Sequence, residues 1–361
     1  MEASELLIPC MDAALQYGAS DLHFVAGKAP CLTLDGDMLP IDSLPPLSEE
    51  ATKAVLDCVV TDSEAQALLK KQGYVDFRYR YQKRSFRVNA AAELKGYAIT
   101  LRIIPEKVLT PEQIGLNDTI MNLIRRPQGL FLVTGVTGSG KSTTLAAILQ
   151  HLANTELRKI LTVEQPIEYV LAHGTSVVTQ FDVPTHVTSF ADALRSGLRQ
   201  APNIILVGEL RDAETMETAL HAAETGHRVF ATVHSKSAFE TPDRIIEGMP
   251  ADLQNQTRVS LASCLLGVMT QVLVRKTGGS GRVLAYEFML NNPAISNLIR
   301  TGKREQMKSY LQTGKTDGMR LLEDHLAELV VSGAVDEASA LEKARDHDTL
   351  EKRISDLRKA E

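Results

Sequence analysis

The sequence predicts an α/β protein in which a mainly parallel sheet follows a smaller α+β domain. Between residues 130 and 232, short apolar runs alternate with helix-period segments, which is typical of parallel strands connected by helices. Before residue 105, several runs alternate apolar and polar residues, which is typical of strands with one buried face. The 361 residues suffice for two or three domains, and 44% hydrophobic content suffices for buried cores.

The first domain, residues 1–105, is predicted to combine helices with a small antiparallel sheet. A helix is expected over 3–17, because apolar residues recur there at helical spacing, and Gly18 follows its end. Residues 48–72 are predicted to be helical. The predicted strands are Leu22–Val25, Cys31–Leu34, Tyr74–Phe77, Ser85–Val88 and Ala98–Ile104.

Residues 106–118, which include Pro111 and Gly115, are typical of a linker. In the core domain that follows, residues 119–292, the expected site for ligands is at the carboxyl ends of the parallel strands. From 293 to 361 the chain is predicted to be helical, and an apolar stripe on its last helix is interpreted as core packing rather than a partner-binding face. The predicted strands of the core are Leu130–Thr134, Lys159–Val163, Ile204–Val207 and Arg228–Thr232, connected by helices over 141–152, 189–200 and 213–225.

Composition excludes several classes of protein. The first basic residue is Lys28, so no secretory signal peptide is expected and the protein is expected in the cytoplasm. The weakly polar run Leu261–Val274 is too short and too polar to span a bilayer. A net charge of −6 argues against an extended positively charged surface for binding nucleic acid. The four cysteines lack a C-x-x-C pair and are expected to be reduced and structural: Cys10, Cys31, Cys58 and Cys264.

A phosphate-binding loop lies between a predicted strand and a predicted helix, where residues 135–143 read Gly-Val-Thr-Gly-Ser-Gly-Lys-Ser-Thr. Backbone N–H groups of such a loop surround a polyphosphate, and the helix dipole adds positive potential. Lys141 is expected to reach the β- and γ-phosphates, and Ser142 to ligate Mg²⁺. The residues assigned to a nucleoside triphosphate are Gly135, Thr137, Gly138, Ser139, Gly140, Lys141, Ser142 and Thr143.

Acidic residues follow two of the predicted strands. Glu164 and Glu168 come just past one strand and are expected to face the Mg²⁺-phosphate group, with Glu164 in its outer shell. Glu209 follows the next strand and is our candidate for the group that orients or deprotonates the attacking water. The alternative is that Glu209 caps the next helix. Gly208 stands where an aspartate is usual, which leaves Ser142 as the direct ligand of Mg²⁺.

His227 and His234 flank a predicted strand. A metal site is disfavoured because no acidic or cysteine ligand stands at metal spacing. The favoured interpretation is an imidazole N–H that contacts the γ-phosphate, and the alternative is a buried structural histidine.

Together these motifs resemble the type II/IV secretion ATPase superfamily, and in particular its PilT-like pilus retraction ATPases. The resemblance runs nearly from end to end and is far more specific than the phosphate loop. The matching stretches are Gly18–His23, Phe86–Asn89, Leu161–Glu168, Leu206–Thr215, Glu224–His227 and Thr232–His234.

The resemblance implies a RecA-like P-loop NTPase core preceded by a PAS-like domain. It also implies a homohexamer in which each PAS-like domain packs on the neighbouring core, with ATP and Mg²⁺ between two domains. Arg87 and Arg102 of the first domain and Arg195 and Arg199 of the second then become candidates for stabilising charge during hydrolysis. The alternative for each arginine is a solvated or salt-bridged side chain.

Within the superfamily, retraction is favoured over assembly or secretion, whose ATPases usually carry a C-x-x-C zinc element and an extra N-terminal domain. The segment Asn292–Arg300 also resembles a retraction motif. The implied function is a motor for pilus retraction at the cytoplasmic face of the inner membrane, engaged with a platform protein. Departures such as Gln165 and Ser296 leave as alternatives an accessory paralogue of the PilU kind, a system-specific motor, or a PilT-like ATPase of a conjugative or effector-secreting type IV system. A hypothesis from a different class is a nucleotide sensor without turnover, and the intact Glu164, Glu209 and Arg211 favour the enzyme.

Overall fold

In a computed structural model of the chain, the described residues are 3–34, 36–82, 84–104, 107–279 and 281–360. The chain divides into two compact units, with the boundary between Lys107 and Val108. The expected end of the first domain near Pro105 lies outside the described residues, as does Glu106.

The first unit is a six-stranded antiparallel sheet with three helices. Its strands are β1 (Asp21–Phe24), β2 (Cys31–Leu34), β3 (Asp37–Pro40), β4 (Tyr74–Tyr81), β5 (Arg84–Glu93) and β6 (Gly96–Ile104), and its helices are α1 (Ala3–Gln16), α2 (Glu49–Val59) and α3 (Ser63–Gln72). The strand order is β3-β2-β1-β6-β5-β4. All five predicted strands are present, β3 is additional, and the helical segment 48–72 is two helices because Asp62 caps a new one.

One face of this sheet carries the core of the first unit. Along β5, Phe86 and Val88 are fully buried with residues of α1 and α2, whereas Arg87 between them lies on the other face. This alternation follows from the period of two of an extended strand. Arg87 is paired directly with Arg102 of β6, so both arginines lie on this other face of the sheet.

The second unit is a seven-stranded sheet with helices on both faces. Its strands are β7 (Gly129–Thr134), β8 (Lys159–Glu164), β9 (Val177–Asp182), β10 (Ile204–Val207), β11 (Arg228–Val233), β12 (Leu265–Arg275) and β13 (Arg282–Leu290). Its helices are α4 (Asp118–Leu123), α5 (Lys141–Thr155), α6 (Phe190–Leu198), α7 (Ala213–Glu224), α8 (Thr241–Glu247), α9 (Gln254–Cys264), α10 (Pro293–Thr301), α11 (Arg304–Thr313), α12 (Leu322–Val331), α13 (Glu337–Leu341) and α14 (His347–Ala360).

The order of this sheet is β13-β12-β7-β11-β10-β8-β9. All neighbours are parallel except the β12–β13 pair. The structure therefore confirms the predicted α/β class with a mainly parallel sheet. Every residue of β7 is buried, and successive side chains enter opposite cores: Leu130 and Leu132 on one face, Phe131 and Val133 on the other.

One region differs from the prediction, and another agrees with it. Residues 108–118 belong to the second unit rather than to a separate linker, because Leu116 is buried in one of its cores. The apolar stripe of α14 packs as predicted, with Leu350 and Ile354 buried in a third core formed with α12, β12 and β13.

The cysteines carry no disulfide. Burial raises the pKa of Cys10 and of Cys264 to about 12, which keeps both as thiols at neutral pH and agrees with a structural role.

No helix within the described ranges has the length and apolar character needed to cross a membrane.

Candidate nucleotide-binding site

The phosphate loop joins the carboxyl end of β7 to the first residue of α5, as predicted. Gly135, Gly138 and Gly140 all have positive φ, which side-chain-bearing residues rarely adopt. At Gly135 a Cβ would lie only 2.5 Å from the carbonyl oxygen of Gln271, so the loop also needs a glycine there for space. The loop is thus pressed against β12.

Polar side chains of β12 hold this loop in place. Gln271 is fully buried, and its Nε2 donates to the carbonyl of Ser139 at 2.7 Å. The hydroxyls of Thr270 and Thr134 lie 2.6 Å apart across the same pair of strands. In the sequence, Thr270 and Gln271 served only to exclude a membrane span over Leu261–Val274. A glutamine inside an otherwise apolar run was the signal that would have identified a supporting role.

Lys141 lies at the centre of the loop. Its Nζ donates to the carbonyl oxygens of Gly135 and Val136 at 2.9 and 3.1 Å. Burial lowers the pKa of Lys141, and the negative charges of Glu209 and Glu168 oppose that shift. Both carboxylates are therefore within electrostatic reach of the ammonium group, as the sequence predicts for groups around a bound phosphate.

The ends of three neighbouring parallel strands bring Glu164, Glu209 and His234 to the same edge of the sheet. Glu164 is the last residue of β8, Glu209 follows β10 and His234 follows β11. His234 Nε2 lies 3.1 Å from one oxygen of Glu209, and Arg211 Nε donates to the other at 2.7 Å. The carboxylate of Glu209 is thus oriented from both sides.

Glu164 lies deeper than Glu209. Withdrawal from water raises its pKa to about 7, although hydrogen bonds from Thr162 at 2.7 Å and from Gln180 at 3.2 Å act in the other direction. It lines a cavity of about 30 Å³ together with Ser142 and Thr232. This carboxyl therefore keeps its proton at pH values where a solvent-exposed glutamate has lost it.

The predicted arginines of the first unit lie in one row of its sheet. Arg78 of β4, Arg87 of β5 and Arg102 of β6 occupy directly opposed positions. Like charges placed opposite one another in a sheet are unfavourable unless an anion or a counter-charge compensates them. Arg102 donates to Asp21 at 2.7 Å. The involvement of Arg87 and Arg102 in hydrolysis stays a prediction.

Three further predicted residues lie elsewhere. His227 precedes β11, and its ring Nδ1 is 3.0 Å from the carbonyl of Ala222. It is separated from His234 by the whole of that strand, about 20 Å, so within this chain it does not contact a nucleotide in the phosphate loop. Arg195 of α6 is exposed and paired with Asp192 and Glu214, and Arg199 follows the same helix as an exposed residue.

The side chains around the loop fit a Mg²⁺ ion whose ligands are mainly oxygens of the nucleotide. Within the described part of the chain, no three His, Cys, Asp or Glu side chains are grouped so that they could hold a metal ion. Ser142, at the first turn of α5, supplies a hydroxyl beside the loop. Mg²⁺ characteristically takes one or two protein ligands and completes its shell with phosphate and water.

The family model described as type II/IV secretion system protein matches residues 3–356. The chain belongs to this family. The type IV pilus retraction ATPase PilT of Pseudomonas aeruginosa is 43% identical over 346 residues, which are 96% of this chain and 98% of that protein. The type IV pilus ATPase PilU of the same organism is 32% identical over 333 residues, covering 91% and 86%.

A solved structure agrees with this membership. The crystal structure of the pilus retraction motor PilT with bound ADP matches with a TM-score of 0.85 at 39% identity, over 96% of this chain and 99% of that one. The present chain is therefore a PilT-type ATPase, and the predicted resemblance is confirmed.

Proposed function

We propose that this PilT-type ATPase powers retraction of a type IV pilus from the cytoplasmic face of the inner membrane. The observation that carries the proposal is the convergence of Lys141, Glu209 and His234 at one phosphate loop, in a chain 43% identical to PilT over nearly its full length. The higher identity to PilT than to PilU favours a primary retraction motor over an accessory one.

Binding of ATP exchanges the internal contacts of the loop for phosphate contacts. Lys141 then leaves the carbonyl oxygens of Gly135 and Val136 for the β- and γ-phosphates, and the loop N–H groups surround the chain of phosphates. Ser142 is the residue that would hold Mg²⁺. When bound, the ion neutralises charge that develops on the phosphate oxygens.

Glu209 acts on the attacking water. Oε2 is held by both Nε and Nη2 of Arg211, at 2.7 and 2.6 Å, whereas Oε1 has only His234 as a partner and keeps a second lone pair that can accept a hydrogen bond from water. Glu209 thereby orients the water and takes its proton as the bond from the water oxygen to the γ-phosphorus forms and the bond to the bridging oxygen breaks, with ADP as the leaving group. Because Nε2–H of His234 faces the acceptor Oε1 of Glu209, the contact of His234 with the γ-phosphate comes from Nδ1–H and requires a ring that carries both protons. Glu164 is a more deeply buried carboxyl near the Mg²⁺ shell.

The working form that we propose is a homohexamer. Hydrolysis needs more positive charge around the γ-phosphate than Lys141 provides, and Arg87 and Arg102 are our candidates to supply it from a neighbouring subunit. The proposed partner at the membrane is the platform protein of the pilus, through which the motor acts on the filament.

Retraction in living cells tests this function. In the bacterium that encodes this chain, deletion of its gene should stop pilus retraction, and the wild-type gene should restore it. A Lys141→Ala variant present at the same level should not, because it lacks the phosphate contact. Normal retraction in the deletion strain would contradict the proposal. If DNA transfer or effector export stopped instead, the alternative of a conjugative or secretion ATPase would be supported.

A further inference from the structure

Glu287, in the middle of β13, is a buried carboxylate that takes no part in the site described above. Only 1% of it is exposed. Its Oε1 accepts a hydrogen bond from the backbone N–H of Ala238 at 2.6 Å, and its Oε2 accepts one from Arg345 Nη1 at 2.9 Å. Both oxygens therefore have a donor, each from a different part of the second unit.

The Ala238 contact anchors the loop that carries His234. This loop runs from the end of β11 to the start of α8 and is internally bonded, since Ser235 Oγ and Thr241 Oγ1 both donate to the carbonyl of Ser237, at 3.0 and 2.8 Å. Ala238 is fully buried, and only three residues separate it from His234. Because the loop is short and bonded to itself, a shift of Ala238 moves His234.

The Arg345 contact belongs to the C-terminal helices. Arg345 lies just before α14, and its backbone N–H donates at 3.1 Å to Glu323, a buried residue of α12. Asp346 N–H donates to the same oxygen of Glu323 at 3.3 Å. Glu287 thus joins the loop after β11 to the segment formed by α12 and α14. Burial raises the pKa of Glu287, and the Arg345 charge opposes that shift.

We propose that Glu287 is a positioning residue for ATP hydrolysis. It fixes the segment 234–238 so that His234 stays against Glu209, and it ties that segment to α12 and α14. Glu287 acts through His234 and does not touch the nucleotide. The inference rests on the roles proposed above for Glu209 and His234.

A purely structural role makes a different prediction. A buried carboxylate that only stabilises the fold would alter the thermal midpoint without affecting the chemical step selectively. The chain contains a matched control: Asp324 of α12 is also buried, with one oxygen 2.9 Å from Arg353 Nε and 3.0 Å from Lys315 Nζ, but these partners lie in the C-terminal segment alone.

The test is a double-mutant cycle on the full-length protein, with all variants compared at one concentration and one assembly state. The variants are Glu287→Gln, His234→Ala, their combination and Asp324→Asn. Glu287→Gln should lower kcat roughly 10- to 100-fold, as expected for displaced catalytic groups, with KM for ATP changed by less than about threefold. The combined variant should be within about twofold of His234→Ala, because Glu287 acts through that residue. Asp324→Asn should keep kcat within about threefold.

Three outcomes would overturn the inference: a near-wild-type kcat for Glu287→Gln, losses that multiply in the combined variant, or an equal loss of kcat in Asp324→Asn. A near-wild-type kcat for His234→Ala would instead show that the assignment of His234 is wrong. If Glu287→Gln is insoluble, Glu287→Asp replaces it, because this variant keeps the charge beside Arg345 but is too short to hold both contacts.

Discussion

Glu164 is the residue of the site whose ionisation is most altered by its surroundings. Its pKa rises from 4.5 to about 7, chiefly through burial. The folded state therefore holds a proton on this carboxyl at pH values where the unfolded chain has lost it. Stability from this group is complete below about pH 4.5 and is lost as the pH rises toward 7 and above.

Glu164→Gln should remove this dependence, because the amide stays neutral and can still accept from Thr162. We expect the nucleotide-free variant to be more stable than wild type at pH 8 by at most about 3 kcal/mol, with the gap closing near pH 4.5. Unfolding by denaturant at several pH values measures the gap. Glu217→Gln, at an exposed position of α7, is the control and should show no comparable gap. A pH-independent difference for Glu164→Gln would refute the assigned shift.

Within the site, residues contiguous with a motif were predictable and residues from distant strands were not. Lys141 and Glu209 were predictable because each lies in a recognisable motif just after a predicted strand. Gln271, which holds the phosphate loop, comes from β12, and this strand carries no motif. His227 shows the opposite error: a motif residue adjacent in sequence to a core strand lies at the wrong end of that strand.

At the scale of elements, periodicity identified β7, β8, β10 and β11 of the parallel sheet but not its edge strand β9. It missed β12 and β13 because both strands are almost continuously apolar, and such runs do not distinguish a buried strand from a buried helix. It missed β3 because that strand is four residues long and exposed throughout. Asp62, a helix-capping residue, marks the break between the two helices within 48–72. The apolar pattern continues on both sides of Asp62, so the two helices were predicted as one helical segment.

At the scale of the whole molecule, the proposed hexamer has a kinetic consequence. ATPase activity per subunit should rise with protein concentration as rings form, and Arg87→Ala or Arg102→Ala should lower kcat without preventing assembly. An arginine supplied by a neighbour can be worth roughly 10³- to 10⁵-fold in rate. Activity and light scattering measured across one dilution series test this relation.

Lys70→Ala is the control for the arginine variants, because it removes a positive charge from an exposed position of α3 in the same unit. Its kcat should stay within about twofold of wild type. Full activity of a diluted monomer, together with unchanged rates for both arginine variants, would exclude a site shared between subunits.

Hydrolysis of ATP at the phosphate loop, as proposed above, depends on Glu209 acting on the attacking water. The most direct measurement compares ATP affinity and steady-state phosphate release in Glu209→Gln. We expect affinity within about threefold of wild type and turnover reduced at least 10²-fold, because loss of a general base typically costs 10²- to 10⁴-fold. A Glu209→Gln variant that hydrolyses ATP at nearly the wild-type rate would contradict the account and make Glu164 the candidate base.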